Sequence, residues 1–411
     1  MILTGQLLIE DGSGGCHLQP GHVRLDGEII AEISLNEPPP KGDRSIQDVF
    51  GGHDCLICPG FIDAHLHLSQ FGIIGAHGLP LLRWLAEFTF PEENKWNDPE
   101  LAASTTATAL EELLSHGTTG IAAYATVHHE ATWRCLQVAE QKGVRALIGQ
   151  VLMDCNAPAS LCRPAAQLLN EAESLGAKYP PNRRVAAAVT PRFALSCSEE
   201  LLRGSGKLAT EQQATIQTHI AETKIECQQV QRQFGKPYSQ VYRDAGLLTE
   251  RSLFGHGIYL DPLDRQQLAA ANSKIVHCPT ANSFLRSGEM NRQTLAEESI
   301  QLAIGSDIGA GYERSMVRVA RGMILTAARL GTSVPSASEA WYSITAGNAD
   351  ALSWLDAGRL RVGACADLLI IRPSIDWQSA NSDPLSKLMF GWDDRWIQHV
   401  FLRGKLARSY N

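Results

Sequence analysis

Two histidines separated by one residue, His65 and His67, end an apolar run that begins after Pro59 and Gly60. Because side chains alternate between the two faces of a strand, both imidazoles point to the same side, with Cα atoms roughly 6–7 Å apart. Two imidazoles at that separation can bind one metal ion. On a solvated strand such a pair would be weak evidence for a metal site. In a buried strand two polar rings cost free energy unless something binds them. We interpret the pair as half of a metal site.

Further side chains of the metal-binding type stand where other apolar runs end. His219 lies in the run 216–220, and Asp307 follows the run 302–304. In a barrel enzyme the chemistry lies at the carboxyl ends of the strands, so these residues should meet the two histidines there. Three imidazoles and one carboxylate suit a catalytic zinc that keeps one position open for water. Each residue alone has another interpretation. His219 could be a hydrogen-bonded histidine of the core, and Asp307 could cap a helix.

Two more residues are candidates for proton transfer. Glu222 lies three residues after His219, where the chain leaves its strand, and a carboxylate there can reach the reacting water without binding the metal. Its alternative is a surface glutamate that begins the helix at Thr223. His256, between two glycines, ends another apolar run, and its alternative is a loop residue packed by those glycines. Three other histidines are expected to brace the site or to lie outside it, namely His277, His128 and His129.

Arg192 and Phe193 stand at the end of the fourth apolar run, 185–189. Two-metal barrel hydrolases commonly use a lysine at this strand end to bridge their ions, and no lysine is present here, which favours one metal. The arginine offers a planar fork of hydrogen-bond donors and the phenylalanine an aromatic face, a pair that suits a flat heterocycle carrying oxygen. The alternative is a salt-bridged surface arginine beside a core phenylalanine.

The order of elements predicts an α/β fold, a (β/α)8 TIM-type barrel with a small β-sandwich-like domain built from both chain termini. Helices are predicted to begin at Pro99, His129, Glu199 and Pro262, since capping residues precede most of them. The long segment 68–97 carries aromatic residues, Trp84 among them, and is predicted to be a functional lid. We predict domain boundaries of 1–55 and 356–411 for the small domain and 56–355 for the barrel. The predicted barrel strands are 56–62, 119–124, 146–152, 185–189, 216–220, 252–257, 274–277 and 302–304.

The bulk composition limits the possible partners. The 411 residues carry a formal net charge of −8, with 44% hydrophobic and 19% charged residues. An acidic chain of this kind argues against a nucleic-acid or anionic-membrane partner. No signal-peptide pattern or membrane-length apolar run is present. The ten scattered cysteines read as reduced, buried thiols, which favours a cytoplasmic location.

The motifs together resemble the amidohydrolase superfamily and, within it, the guanine deaminases. The wider likeness rests on Pro-Gly-Phe-Ile-Asp-x-His-x-His at 59–67, His-x-x-Glu at 219–222, His-Gly at 256–257 and Gly-Ser-Asp at 305–307. The narrower one rests on Leu-Leu-Arg-Trp-Leu at 81–85, Phe-Thr-Phe-Pro-Glu-Glu at 88–93 and Thr-Pro-Arg-Phe at 190–193. The resemblance implies one Zn²⁺ per chain, or Fe²⁺, on His65, His67, His219 and Asp307. It implies substrate contacts from Gln70, Trp84, Arg192, Phe193 and Glu222.

The resemblance also implies an activity, the hydrolysis of guanine to xanthine and ammonia in purine catabolism. The substrate would be a small-molecule purine base, and the enzyme would be a homodimer. Asp307 would accept a proton from the attacking water, and Glu222 would protonate N3 and then help to protonate the leaving amine. His256 would support the tetrahedral centre, and Arg192 would hold the C6 oxygen. The alternatives are deamination of 8-oxoguanine or a pterin, triazine hydrolysis and, from another class, an inactive scaffold.

Overall fold

The computed structural model describes residues 1–38, 49–379 and 381–409. Two sheets organise these residues, one of eight strands and one of seven. In chain order the strands are β1 (Ile2–Glu10), β2 (Cys16–Asp26), β3 (Ile29–Leu35), β4 (Val49–Pro59), β5 (Phe61–His67), β6 (Thr118–Tyr124), β7 (Arg145–Leu152), β8 (Val185–Pro191), β9 (Ile216–Ile220), β10 (Ser252–His256), β11 (Lys274–His277), β12 (Gln301–Ile304), β13 (Leu368–Ile371), β14 (Ile397–Leu402) and β15 (Lys405–Ser409).

The smaller sheet joins the two ends of the chain, in the order β15-β14-β13-β4-β1-β2-β3. The contact between the ends is antiparallel pairing of β13 with β4, in which Leu368 lies opposite Pro59. Apolar residues from both ends form one core, among them Leu3, Val23 and Phe401. A domain built from both termini is therefore confirmed. β2 and β3 pair as an antiparallel hairpin within it.

The larger sheet contains β5 to β12 in sequence order, and every recorded pairing within it is parallel. Helices follow the strands, as the alternating pattern predicts, so the predicted (β/α)8 barrel is confirmed. Asn348 joins the first strand to the last. Its Nδ2 donates to Ile62 O at 2.7 Å and to Ile304 O at 2.8 Å, and its Oδ1 accepts from Ile304 N at 2.8 Å.

The four predicted helix starts, at Pro99, His129, Glu199 and Pro262, are all confirmed. Asp98 accepts from Glu100 N at 2.9 Å and starts the helix Pro99–Ser115, and Ser198 accepts from Leu201 N. The α-helices are Leu81–Trp84, Phe90–Asn94, Pro99–Ser115, His129–Lys142, Ala165–Lys178, Glu199–Gln212, Lys224–Phe234, Tyr238–Asp244, Pro262–Ala270, Pro279–Phe284, Arg292–Glu297, Met316–Leu330, Ala337–Tyr342, Asn348–Ala351 and Pro384–Gly391. Within the described ranges, no helix is both long and apolar enough to cross a membrane.

The first barrel strand differs from the sequence prediction of 56–62. Residues up to Pro59 belong to β4 of the smaller sheet, and the barrel begins with β5 at Phe61. The break falls at Gly60, whose N–H donates to Asp367 O at 2.9 Å. Residues 55–67 are all buried, so the apolar run continues from one sheet to the other without a polar residue at the change. As a result, His65 and His67 lie within the first barrel strand, at its carboxyl end.

Candidate active site

A cavity of about 420 Å³ opens at the carboxyl ends of the barrel strands. It brings together residues from β5, the lid segment, the end of β8, β9, β10 and the loop after β12, which are far apart in sequence. Nine of the ten predicted site residues line the cavity. The tenth, His65, lies next to it and contacts the lining residue Asp307. The lining residues are His67, Gln70, Leu81, Trp84, Leu85, Arg192, Phe193, His219, Glu222, Glu226, His256, Asp307 and Ala310.

Four side chains of ligand type converge at the floor of this cavity. Nε2 of His65 and Nε2 of His67 each lie 3.4 Å from Asp307 Oδ1. Nε2 of His67 lies 3.2 Å from Nε2 of His219. All four side chains are buried. The structure thus brings together the four residues that the resemblance assigns to one metal ion.

The hydrogen bonding of these histidines fits a bound cation. Nδ1 of His219 lies 2.6 Å from Arg192 O, so it carries the proton and leaves the lone pair on Nε2. That lone pair faces His67 Nε2 at 3.2 Å, a contact that a shared cation would satisfy. His65 Nε2 is buried without a hydrogen-bond partner among the described residues. A divalent metal ion would bind these atoms, as neutral imidazole and carboxylate ligands do in catalytic zinc sites.

The protonation states of the group also suit metal binding. Burial lowers the pKa of His65 to about 4 and holds the pKa of His219 well below its usual range, so both rings stay neutral at pH 7. Burial alone would raise the pKa of Asp307, but the imidazole nitrogens of His65 and His67 beside its Oδ1 hold that pKa well below its ordinary value. The floor of the cavity therefore offers neutral nitrogens and an ionised oxygen, which are the forms that a metal ion requires.

Asp63 braces this group and was not predicted as a site residue. Its Oδ1 accepts from His65 N at 3.1 Å and from Ser306 N at 3.0 Å, and Ser306 Oγ bonds its other oxygen. The carboxylate thereby ties β5 to the loop that carries Asp307. Asp63 belongs to the same sequence motif as His65, but only the fold shows that it reaches Ser306.

Glu222 points into the cavity because the backbone turns before it. Ala221 has a φ of +49°, a left-handed conformation that redirects the chain as it leaves β9. Oε2 of Glu222 lies 3.4 Å from His256 Nε2, and Ser287 Oγ donates to Oε1 at 2.6 Å. Burial raises the pKa of Glu222 to about 7. Glu222 is therefore a buried cavity residue and not a surface glutamate at the start of a helix.

His256 lies between the two acidic residues. Its Nε2 is 3.4 Å from Glu222 and 3.9 Å from Asp307, while its Nδ1 lies 2.8 Å from Asn282 Oδ1. Burial alone would lower its pKa, but the charges of Glu222 and Asp307 raise it above the ordinary value. His256 and Asp307 have φ values of +72° and +53°. Non-glycine residues in this conformation cost about 1–3 kcal/mol each and cluster at functional sites.

The far wall of the cavity carries Arg192 and Gln70. Nη1 of Arg192 donates to both oxygens of Glu93, at 2.8 and 2.6 Å, and Gln70 Nε2 donates to Glu93 Oε1 at 2.9 Å. Arg192 is salt-bridged, as one sequence interpretation held, but it is buried and not on the surface. Phe193 and Trp84 add aromatic surface to the cavity. The role of Glu93 was not recognised from sequence, although it lies in the lid motif.

The histidines His128, His129 and His277 lie outside the cavity lining. His128 is half-buried, and Nδ1 of His129 lies 3.3 Å from Gln150 Oε1. His277 is buried and lines a separate cavity, together with Arg292 and Met323. Glu226, which was not predicted, does line the main cavity, and its Oε2 accepts from Glu222 N at 2.9 Å.

Known proteins resemble this chain in both sequence and fold. The model of the Amidohydrolase family matches residues 56–407. A guanine deaminase of Dictyostelium discoideum is 32% identical over 395 residues, which cover 92% of this chain and 86% of that protein. The solved guanine deaminase of E. coli superposes with a TM-score of 0.93 and 28% identity over the full length of both chains. The guanine deaminase of C. acetobutylicum, solved with guanine in its active site, gives a TM-score of 0.91 and 28% identity over 98% of this chain and 99% of that one.

Proposed function

The chain belongs to the amidohydrolase family, and from that premise we propose that it hydrolyses guanine to xanthine and ammonia. The observation that carries the proposal is that a convergent metal-ligand group and the buried donor Arg192 line one cavity. Similarity to guanine deaminases over most of the chain supports the choice of substrate.

We propose that His65, His67, His219 and Asp307 hold one divalent ion, zinc in preference to Fe²⁺. When bound, such an ion acts as a Lewis acid that makes water a stronger nucleophile near neutral pH. Asp307 is ionised, so it can accept a proton as water attacks C2 of the base. The four buried ligand side chains argue against the alternative of an inactive scaffold, because a scaffold has no need to retain four convergent ligands.

Glu222 is proposed to move the remaining protons. With a pKa of about 7 it is present in both forms near neutral pH, the condition for an efficient general acid and base. It would protonate N3 and then help to deliver a proton to the leaving amino group, so that guanine and water become xanthine and ammonia. His256, held by Asn282, would place its Nε2 beside the tetrahedral centre.

The remaining residues are proposed to orient the base. Arg192 would donate to the C6 oxygen, because a guanidinium can donate hydrogen bonds but cannot accept them. Adenine carries an amino group at C6 and would leave these buried donors unpaired, so it should be rejected. Phe193 and Trp84 would pack against the flat ring.

The direct test is ammonia release by zinc-loaded protein from guanine, adenine, 8-oxoguanine and a pterin, with chloride release from a chlorotriazine measured in parallel. We expect guanine to give the highest kcat/KM and the variant His219→Ala to give none. Metal-loaded, folded protein that releases no ammonia from guanine would refute the proposal. A higher kcat/KM on another compound would instead transfer the activity to that substrate. The cytoplasmic location, the homodimer and the domain boundaries at residues 55 and 355 stay predictions.

A further inference from the structure

Glu93 is a buried carboxylate to which neither the sequence motifs nor the proposed chemistry gives a role. It lies in the short helix Phe90–Asn94 of the lid segment and is 1% exposed. Its Oε1 accepts from Arg192 Nη1 at 2.8 Å and from Gln70 Nε2 at 2.9 Å, and its Oε2 accepts from Arg192 Nη1 at 2.6 Å. One oxygen atom therefore holds two polar side chains of the cavity wall next to each other.

This arrangement fixes which way the Gln70 amide faces. An ionised carboxylate only accepts hydrogen bonds, so the NH₂ group of Gln70 must face Glu93, and a flipped amide would set two oxygens against each other. Oε1 of Gln70 is consequently directed away from Glu93. It is buried and has no hydrogen-bond partner within residues 1–38, 49–379 and 381–409. A buried carbonyl of this kind gains from a ligand N–H group.

Arg192 supplies the complementary half. Both of its bonds to Glu93 leave from Nη1, so the other N–H groups of the guanidinium are not used by Glu93. Glu93 also neutralises the buried charge of Arg192, since the two groups form a close ion pair. The wall thus combines a single acceptor, Gln70 Oε1, with adjacent donors from Arg192, and it has no excess charge to attract an anion.

We propose that Glu93 is a specificity-determining positioning residue. By fixing the orientation of the Gln70 amide beside Arg192, it sets the cavity to pair with a neutral base that presents a ring N–H next to a carbonyl oxygen. An edge with an amino group in place of the carbonyl sets its amino N–H groups against the Arg192 donors and its unprotonated ring nitrogen against the acceptor Gln70 Oε1, so it is rejected. This inference rests on the proposed function, because it concerns how the same cavity selects its substrate.

The test compares guanine with 2,6-diaminopurine, which carries the same 2-amino group but an amino group at C6. The variant is Glu93→Gln, since a glutamine can donate or accept and so no longer fixes the Gln70 amide. The matched control is Glu92→Gln on the same helix, where the carboxylate pairs with the exposed Lys95 at 2.6 Å. Measured quantities are kcat and KM for both compounds, zinc content and melting temperature.

We expect Glu93→Gln to lower kcat/KM for guanine by about 100-fold and that for 2,6-diaminopurine by less than about 10-fold, on the scale set by mispaired buried groups. The preference for guanine should therefore fall by about 10-fold or more, with zinc content unchanged. Glu92→Gln should leave both values at the wild-type level. A role in packing alone would lower both substrates equally, and an unchanged preference ratio in Glu93→Gln would overturn the inference.

Two further variants keep the inference testable if Glu93→Gln does not fold. Glu93→Asp retains an obligate acceptor and should keep the preference ratio even where kcat/KM falls. Gln70→Leu removes the proposed acceptor while leaving the pair of Glu93 and Arg192 in place, and it should lower the ratio. An unchanged ratio in Gln70→Leu would overturn the inference. Wild-type protein that fails on guanine is a different outcome, which refutes the proposed function itself.

Discussion

Replacing Glu222 by glutamine should abolish most of the activity and at the same time stabilise the metal-free protein. The substitution keeps the shape of the side chain and the acceptor for Ser287 Oγ, which donates to Oε1 at 2.6 Å. It removes the exchangeable proton. A general acid or base contributes about 10²–10⁴-fold to the rate, and Glu222 is proposed to act on more than one proton. We therefore expect kcat to fall by at least ~10³-fold while bound zinc is retained.

The gain in stability follows from the raised pKa. Burial raises the pKa of Glu222 from 4.5 to about 7, so the folded state holds this proton more tightly than the unfolded state. The free energy of unfolding therefore falls as the pH rises through that window, by about 3 kcal/mol in all. A glutamine at this position stays neutral, so its burial does not cost free energy as the pH rises. The metal-free variant should be about 3 kcal/mol more stable than the wild type at pH 8 and only about 1 kcal/mol more stable at pH 5.

Ammonia release, metal analysis and urea unfolding at the two pH values make up the assay. Glu200→Gln serves as a control, because Glu200 is an exposed residue in the first turn of a helix away from the cavity. Loss of zinc from Glu222→Gln would show that this carboxylate binds the metal. A kcat within about tenfold of the wild type would remove Glu222 from the chemistry. A variant that is less stable at pH 8 would contradict the burial argument.

Three further substitutions have defined outcomes. His219→Ala should lose zinc and turnover together, and metal analysis showing one zinc per chain would contradict its role as a ligand. Arg192→Ala should cost about 2–4 kcal/mol in kcat/KM for guanine. It should also cost about 3–5 kcal/mol in unfolding free energy, because it leaves Glu93 buried without its partner, and an unchanged melting temperature would refute that reasoning. Gly305→Ala places a Cβ 2.6 Å from His65 Cβ and should weaken zinc affinity about 10–100-fold, measured by competition with a chelator.

The residues that carry local signals could be predicted from the sequence. His65, His67, His219 and Asp307 are recognisable because polar side chains at the ends of apolar strands are costly without a ligand. Helix starts such as the one at Asp98 can also be predicted, because capping depends only on neighbours within a few residues.

Interactions between distant parts of the chain could not be predicted. Glu93 and Arg192 are 99 residues apart, and no local pattern distinguishes a buried ion pair from a solvated one. The support of Glu222 by Ser287 spans 65 residues and depends on how the loop after β11 folds. The change of sheet at Gly60 was missed because the chain is buried on both sides of it, over the last five residues of β4 and all of β5. In each case the tertiary contact, and not the sequence neighbourhood, determines the environment of the residue.

The junction of β5 with β12 has a consequence for incomplete chains. Across it, Asp307 N donates to His65 O at 2.8 Å and His67 N donates to Ile308 O at 2.5 Å. Asn348, in the helix Asn348–Ala351, bonds to both strands. A polypeptide released from the ribosome before residue 301 would possess three of the four ligands but neither the Asp307 carboxylate nor β12. Such a truncated product would have no competent centre, so metal-dependent turnover reports that synthesis has continued past Asp307 and that the last barrel segment has joined the first.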